Sequence, residues 1–158
     1  MALYGKFRYG EALYGTGDPL WNTVRTYADI ENDTDNAYVN YWDLNRIENR
    51  IKELGEILSV SVNIKTNWGK QTSSNLLSNL PNTSHLTRII NNVKIIVEAL
   101  PDEFDKESLK FPDSLEYLTI QKMNDLERSL YIIYKGVAWW ILIGNQELMA
   151  KIMFYLMM

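Results

Sequence analysis

The residues with the densest chemistry are carboxylates. Asp29, Glu31, Asp33 and Asp35 alternate in one stretch, a pattern that invites a calcium loop. An EF-hand loop begun at Asp29 puts Thr34 where glycine must turn the chain and Asn40 where the bidentate glutamate belongs. Begun at Glu31 it meets Asn36 and Trp42, so the motif fails in both registers. The stretch reads as a solvated acidic loop, and no metal is expected. Asp102 and Glu103 are adjacent carboxylates on a segment flanked by proline, a solvated arrangement rather than a glycosidase pair. His85 is the single histidine and stands beside a helix start, which suits a capping or surface role. Gly5-Lys6 and Gly69-Lys70 lack the rest of a phosphate loop, and there is no nucleophile elbow. The absence of cysteine removes disulfides, thiolate nucleophiles and cysteine-ligated metals together. No catalytic residue and no cofactor is assigned, and the chain is not expected to be an enzyme.

The elements that would position any site are helical. Asn40 is an N-cap with Asp43 as its capping-box partner, and Leu44, Ile47, Ile51, Leu54 and Leu58 then recur at helical spacing. A second helix opens at Pro81, Asn82, Thr83 and Ser84, carries Leu86, Ile89, Val93, Ile96 and Leu100 on one face, and stops at Pro101. A third starts near Thr119 with Met123, Leu126, Leu130 and Ile133 facing inward. Arg46-Ile47-Glu48-Asn49, Arg88-Ile89-Ile90-Asn91 and Lys122-Met123-Asn124-Asp125 share a basic, apolar, any, Asx-or-acidic pattern, read as a degenerate helical repeat. Between the helices lie long connectors. Val60, Val62 and Ile64 alternate there as in a short strand, and residues 101–118 carry Pro101 and Pro112 with several acids. Loops of this length are uncommon in a compact domain, which points to partners holding them in place.

Composition bounds the partners. With 158 residues there is room for one domain. Sixteen basic against twenty acidic residues give a net charge of −4, the wrong sign for a nucleic-acid binder. Aromatic residues make up 12% of the chain, a density that suits contact surfaces. Tyr-Gly recurs at Tyr4, Tyr9 and Tyr14, and Phe7 lies among them, in a segment with too little aliphatic content for its own core. Tyr4, Phe7, Tyr9 and Tyr14 are therefore expected to dock on a neighbouring chain. No apolar signal-peptide core opens the sequence, so secretory export is not expected. Val137 to Ile143 is continuously apolar and includes Trp139 and Trp140, followed by Leu148, Ile152, Tyr155 and Leu156. Neither run approaches the roughly 20 residues of a membrane span, so Trp139 and Trp140 are expected at a protein interface. The expected organisation is an extended aromatic-glycine arm and acidic loop over residues 1–39, a mainly α domain of three amphipathic helices over 40–135, and an apolar interaction segment over 136–158.

The order of several short motifs adds a resemblance. Tyr41-Trp42-Asp43-Leu44-Asn45-Arg46-Ile47-Glu48-Asn49 is followed by Ile64-Lys65-Thr66-Asn67-Trp68, Pro81 and Arg88-Ile89-Ile90-Asn91-Asn92-Val93. Then come Phe111-Pro112-Asp113-Ser114-Leu115-Glu116-Tyr117-Leu118 and Lys122-Met123-Asn124-Asp125-Leu126-Glu127. This order resembles small bacteriophage tail or minor structural proteins of low-GC Gram-positive phages, and the opening Phe7-Arg8-Tyr9-Gly10-Glu11 is similar to those of phage-tail-like bacteriocin proteins. It spans about residues 1–135; the segment from Gly136 onward departs from it. The resemblance implies a virion component near the baseplate or tail fibre, assembled in the bacterial cytoplasm. Its partners would be other tail, baseplate or fibre proteins and further copies of itself, with no nucleic acid, membrane span or catalysis. A cytoplasmic protein-binding adaptor or regulatory domain is the alternative; a membrane-surface protein using residues 137–158 is a further rival.

Overall fold

The computed structural model describes residues 25–37, 39–69 and 81–137, and it is mainly helical, with no strand among those residues. Helix α1 is Tyr27–Glu31, α2 is Tyr41–Ile57, α3 is Thr83–Ala99, and residues 120–137 form α4. Short 3-10 turns occupy Asp35–Ala37 and Lys106–Ser108.

Each long helix begins where its cap predicts. The Asp43 carboxylate accepts the Asn40 backbone N–H at 2.9 Å. Asn82 Oδ1 accepts the His85 backbone N–H at 3.1 Å, and His85 Nδ1 accepts that of Asn82 at 3.3 Å. Thr119 Oγ1 accepts from Lys122 N–H at 3.2 Å. Helix α2 ends with Ser59 at φ 56°, its N–H donating to Glu56 and that of Val60 to Gly55. This is the Schellman pattern, which satisfies two orphan carbonyls. Helix α3 ends because Pro101 forces Leu100 into an extended conformation.

The predicted faces meet in one core. Leu44, Ile47, Ile51 and Leu54 of α2, Ile89, Val93 and Ile96 of α3, and Met123, Leu126, Leu130 and Ile133 of α4 are all buried, with Trp68, Leu100 and Leu115 between them. Gly136 and Val137 continue α4, and residues 138–158 of the expected apolar segment lie outside the described residues.

The three long helices among the described residues run parallel, which is what the long connectors accomplish. After α2 the chain turns back along it. Val62 packs on Gly55, where a Cβ would lie 2.9 Å from Val62 Cγ2. Lys65 N–H then reaches Glu48 and Trp68 N–H reaches Asn45. The same connector passes Asn92 of α3 at residue 63 and the first turn of α3 at residue 68, where the Trp68 and His85 rings meet edge to face at 5.0 Å. It therefore delivers the chain to the end of the bundle where α2 began. The second connector does likewise beside α4, with Lys110 N–H on Ser129 Oγ at 2.8 Å and the Glu116 carbonyl on the Lys122 ammonium. Short loops join antiparallel neighbours. A parallel neighbour requires a return of about 25 Å, the length of a 17-residue helix.

Three expectations change here. The alternation of Val60, Val62 and Ile64 is real, since these are half-buried between exposed Ser61 and Asn63, yet no strand forms. No second strand lies beside them among the described residues, and a side chain of α3 takes up the backbone instead. The connectors were also expected to need partners, whereas the described parts of both are held by the chain's own helices. Finally, the acidic stretch is not a plain loop, because α1 and a 3-10 turn lie within it. Hydrogen bonds from Thr26, first its backbone and then its hydroxyl, and from Thr34 and Asn36 hold the Asp29 carboxyl below the usual carboxylate range. No group of acidic and histidine side chains placed to hold a metal occurs among the described residues.

Candidate functional site

The apolar stripe of α2 carries a charge. Glu48 lies four residues after Leu44 and three before Ile51, on the inward face, and it is buried. Glu127 holds the same place on α4, four after Met123 and three before Leu130. Taking a carboxylate out of water costs several kcal/mol unless it is paired and its oxygens are satisfied. Each is met by an arginine fork from the neighbouring helix. Arg88 of α3 donates to Glu48 from both terminal nitrogens, Nη1 to Oε2 at 2.8 Å and Nη2 to Oε1. Arg46 of α2 donates to Glu127 through Nε at 2.9 Å and Nη2 at 2.8 Å. Bidentate geometry fixes orientation as well as charge.

Glu127 has a second arginine. Arg25, from the segment before α1, places Nη1 3.0 Å from Glu127 and Nη2 2.9 Å from Asp43. Asp43 also pairs with Arg46 at 2.5 Å. The result is a network of two guanidinium groups and two carboxylates, in which the Arg25, Asp43 and Glu127 side chains are at most 4% exposed. Burial pulls the Arg46 guanidinium down, and the Glu127 and Asp43 carboxylates overcome it, so the group is held above its ordinary value.

Three asparagines complete the arrangement. In each case the side-chain amide grips one residue of a non-helical segment, accepting its N–H and donating to its C=O. Asn45 holds Trp68 at 2.7 and 3.0 Å, Asn92 holds Asn63 at 3.0 and 2.7 Å, and Asn124 holds Arg25 at 3.1 and 2.9 Å. An amide presents the donor and acceptor that a neighbouring strand would offer, so a single side chain replaces a stretch of sheet. Asn45 and Glu48 on α2 and Asn124 and Glu127 on α4 form the same Asn-x-x-Glu pair. The asparagine takes the backbone of the incoming segment and the glutamate takes its side chain, Trp68 Nε1 at 3.4 Å in one groove and Arg25 in the other.

Side-chain roles thus define the repeat. Arg46 and Arg88, 42 residues apart, do the same job, and the aligned Ile47/Ile89 and Ile51/Val93 are buried. For α4 the matching register sets Asn124 against Asn45 and Glu127 against Glu48, one helical turn from the Lys122-to-Arg46 alignment.

Of the residues singled out from sequence, Tyr4, Phe7, Tyr9, Tyr14, Trp139 and Trp140 lie outside the described residues. The residues that organise the described structure are instead Arg25, Asp43, Asn45, Arg46, Glu48, Arg88, Asn92, Asn124 and Glu127. The signal for the two glutamates was a carboxylate on an apolar stripe, since such a position demands a buried partner. No described helix is long and apolar enough to cross a membrane.

Against family models, curated proteins and solved structures, the chain has no match.

Proposed function

We propose that the chain is a structural component of a phage or phage-like tail, at the baseplate or tail-fibre attachment, acting by protein–protein contacts without catalysis. One observation carries this reading. Each buried carboxylate among the described residues, Asp43, Glu48 and Glu127, is tied to an arginine from another element. Buried charge is spent on locking segments together, which suits a rigid building block. The order of motifs that resembles small phage tail proteins supports the setting. Tyr4, Phe7, Tyr9, Tyr14, Trp139 and Trp140 supply aromatic surface for contacts with tail, baseplate or fibre proteins and with further copies of the chain. The finished location is the particle, after assembly in the bacterial cytoplasm.

Quantitative mass spectrometry of density-purified particles tests the reading. The chain is expected at a fixed ratio to the major tail protein, and deletion of residues 1–20 is expected to abolish incorporation while leaving the helical circular-dichroism signal nearly unchanged. Recovery only in the particle-free fraction, bound to one protein, would instead identify an adaptor.

A further inference from the structure

Val60, Val62 and Ile64 alternate as a strand does, and the chain around them is extended. Val62 packs on Gly55, and the Lys65 N–H reaches Glu48. Gly55 and Glu48 are seven residues apart on α2, about 10 Å along its axis. The connector covers that length in the three steps from Val62 to Lys65, which is the stride of a fully extended chain. Consecutive residues of such a chain send their N–H and C=O groups to opposite edges.

The edge of Asn63 and Lys65 is taken. Asn92 grips both backbone groups of Asn63, Arg88 Nη1 donates to the same carbonyl at 2.8 Å, and Glu48 accepts the Lys65 N–H at 3.3 Å. The edge of Val62 and Ile64 is open. Neither residue has a hydrogen bond from its N–H or to its C=O among the described residues, and neither has one beyond them. Both residues are half-buried. Unpaired backbone groups are rare in a protein interior, so these meet solvent.

We propose that this edge receives an extended segment of a partner protein, which adds the strand that the connector lacks. A row of unpaired N–H and C=O groups is a template for another backbone. Strand addition draws its affinity from main-chain bonds and its choice of sequence from alternate side chains. Both backbone groups of Val62 and of Ile64 pair with the arriving segment, whose side chains then fall in two rows. One row continues that of Val62 and Ile64 and is apolar. The other stands beside Ser61, Asn63 and Lys65. None of the chain's twenty acidic residues lies between residues 57 and 97, and Lys65 holds its ammonium over the Trp68 ring at 4.2 Å. A carboxylate in the occupant's polar row answers Lys65 across the pair. The partner segment is therefore extended, alternately apolar and polar, with an acidic residue in the polar row. The contact uses none of the aromatic residues assigned to tail contacts, and it does not depend on a particle as its setting.

Hydrogen exchange of the full chain, alone and with short synthetic peptides, tests it. In the free chain the Val62 and Ile64 amides should exchange about a hundredfold faster than the Asn63 amide. The probes are peptides that alternate valine with aspartate or valine with lysine. The aspartate series should bind about tenfold more tightly than the lysine series, slowing exchange at Val62 and Ile64 and leaving Asn63 unchanged. Methylating the backbone nitrogens of the probe removes its donors and should weaken binding by about tenfold or more. Ile64→Pro removes an edge donor that the folded chain does not use, so the helical signal should persist while binding falls by a similar factor. If that variant unfolds, the methylated peptides carry the test. Equal protection of Val62, Asn63 and Ile64 in the free chain, failure of both series to bind, or binding indifferent to methylation overturns the proposal. Recovery of the chain in particles bears on the tail reading alone, so the two readings fail separately.

Discussion

Arg46 forks onto Glu127 at 2.9 and 2.8 Å across the α2–α4 contact, and Arg88 forks onto Glu48 in the same way across α3–α2. Each glutamate replaces an aliphatic residue on a buried stripe, so each interlock fixes which helix lies beside which and in what register. Arg50 confirms the direction in the first pair. It lies one turn after Arg46, with its guanidinium 5.9 Å from the ring of Tyr134, which lies two turns after Glu127.

Removing the Glu127 carboxylate should therefore take one partner from each of two buried guanidinium groups, which then share Asp43. Glu127→Ala is expected to lower unfolding free energy by about 3–5 kcal/mol, the usual cost of breaking one side of a buried pair. Urea denaturation measures it. Glu53, more exposed and paired with Arg50, is the control; Glu53→Ala should cost no more than about 1 kcal/mol.

The asparagine clasp should be local. Asn92→Ala leaves the Asn63 N–H without this acceptor, and loss of a part-buried hydrogen bond of this kind costs about 0.5–1.5 kcal/mol. Hydrogen exchange at the Asn63 amide is expected to accelerate far more than exchange in the middle of α3. Equal acceleration throughout would mean that the connector and helix open as one unit.

Gly136 sits against Phe104, where a Cβ would lie 2.5 Å from the ring. Gly136→Ala should cost about 1–3 kcal/mol through overpacking, in spite of alanine's better helix propensity. Pairing it with Phe104→Leu should recover part of the loss in thermal denaturation. A stabilised single variant would show that the second connector is free to move away.

Burial, with Lys65 and Arg88 beside it, holds the His85 imidazole below its ordinary value, while Glu48 pulls the other way. The folded chain then binds fewer protons than the unfolded chain just below pH ~6.5. The contribution of neutral His85 is present above that pH and is lost as pH falls through the window. Protonation also removes the acceptor for the Asn82 N–H. His85 is the single histidine, so the difference between wild type and His85→Gln isolates it. That difference should shrink on acidification from pH 7 to 5; a difference that grows would reverse the sign.

The helices were legible because their signals are local. Asn40 with Asp43, Asn82 before Thr83, Pro101, and the spacing of Leu44, Ile47 and Ile51 act within a turn or two. The parallel arrangement was not legible, because it depends on pairs such as Asn124 with Arg25 and Glu48 with Arg88, separated by 99 and 40 residues. The strand reading of Val60, Val62 and Ile64 failed for a related reason. Alternation reports which side chains face inward, and it does not say whether the backbone meets a strand or the amide of Asn92. Arg25 gave no signal at all, since a lone arginine before a short helix usually lies in water.

The parallel order of α2 and α3 is tested most directly by distances between spin labels. The chain has no cysteine, so labels attach only where cysteines are introduced. Trp42, Ile57 and Ser84 are exposed at the start of α2, the end of α2 and the start of α3. With helices about 25 Å long, the Trp42→Cys/Ser84→Cys pair should give the clearly shorter distance and the Ile57→Cys/Ser84→Cys pair the longer one. The reverse order would make the helices antiparallel and contradict the interlocked, parallel bundle.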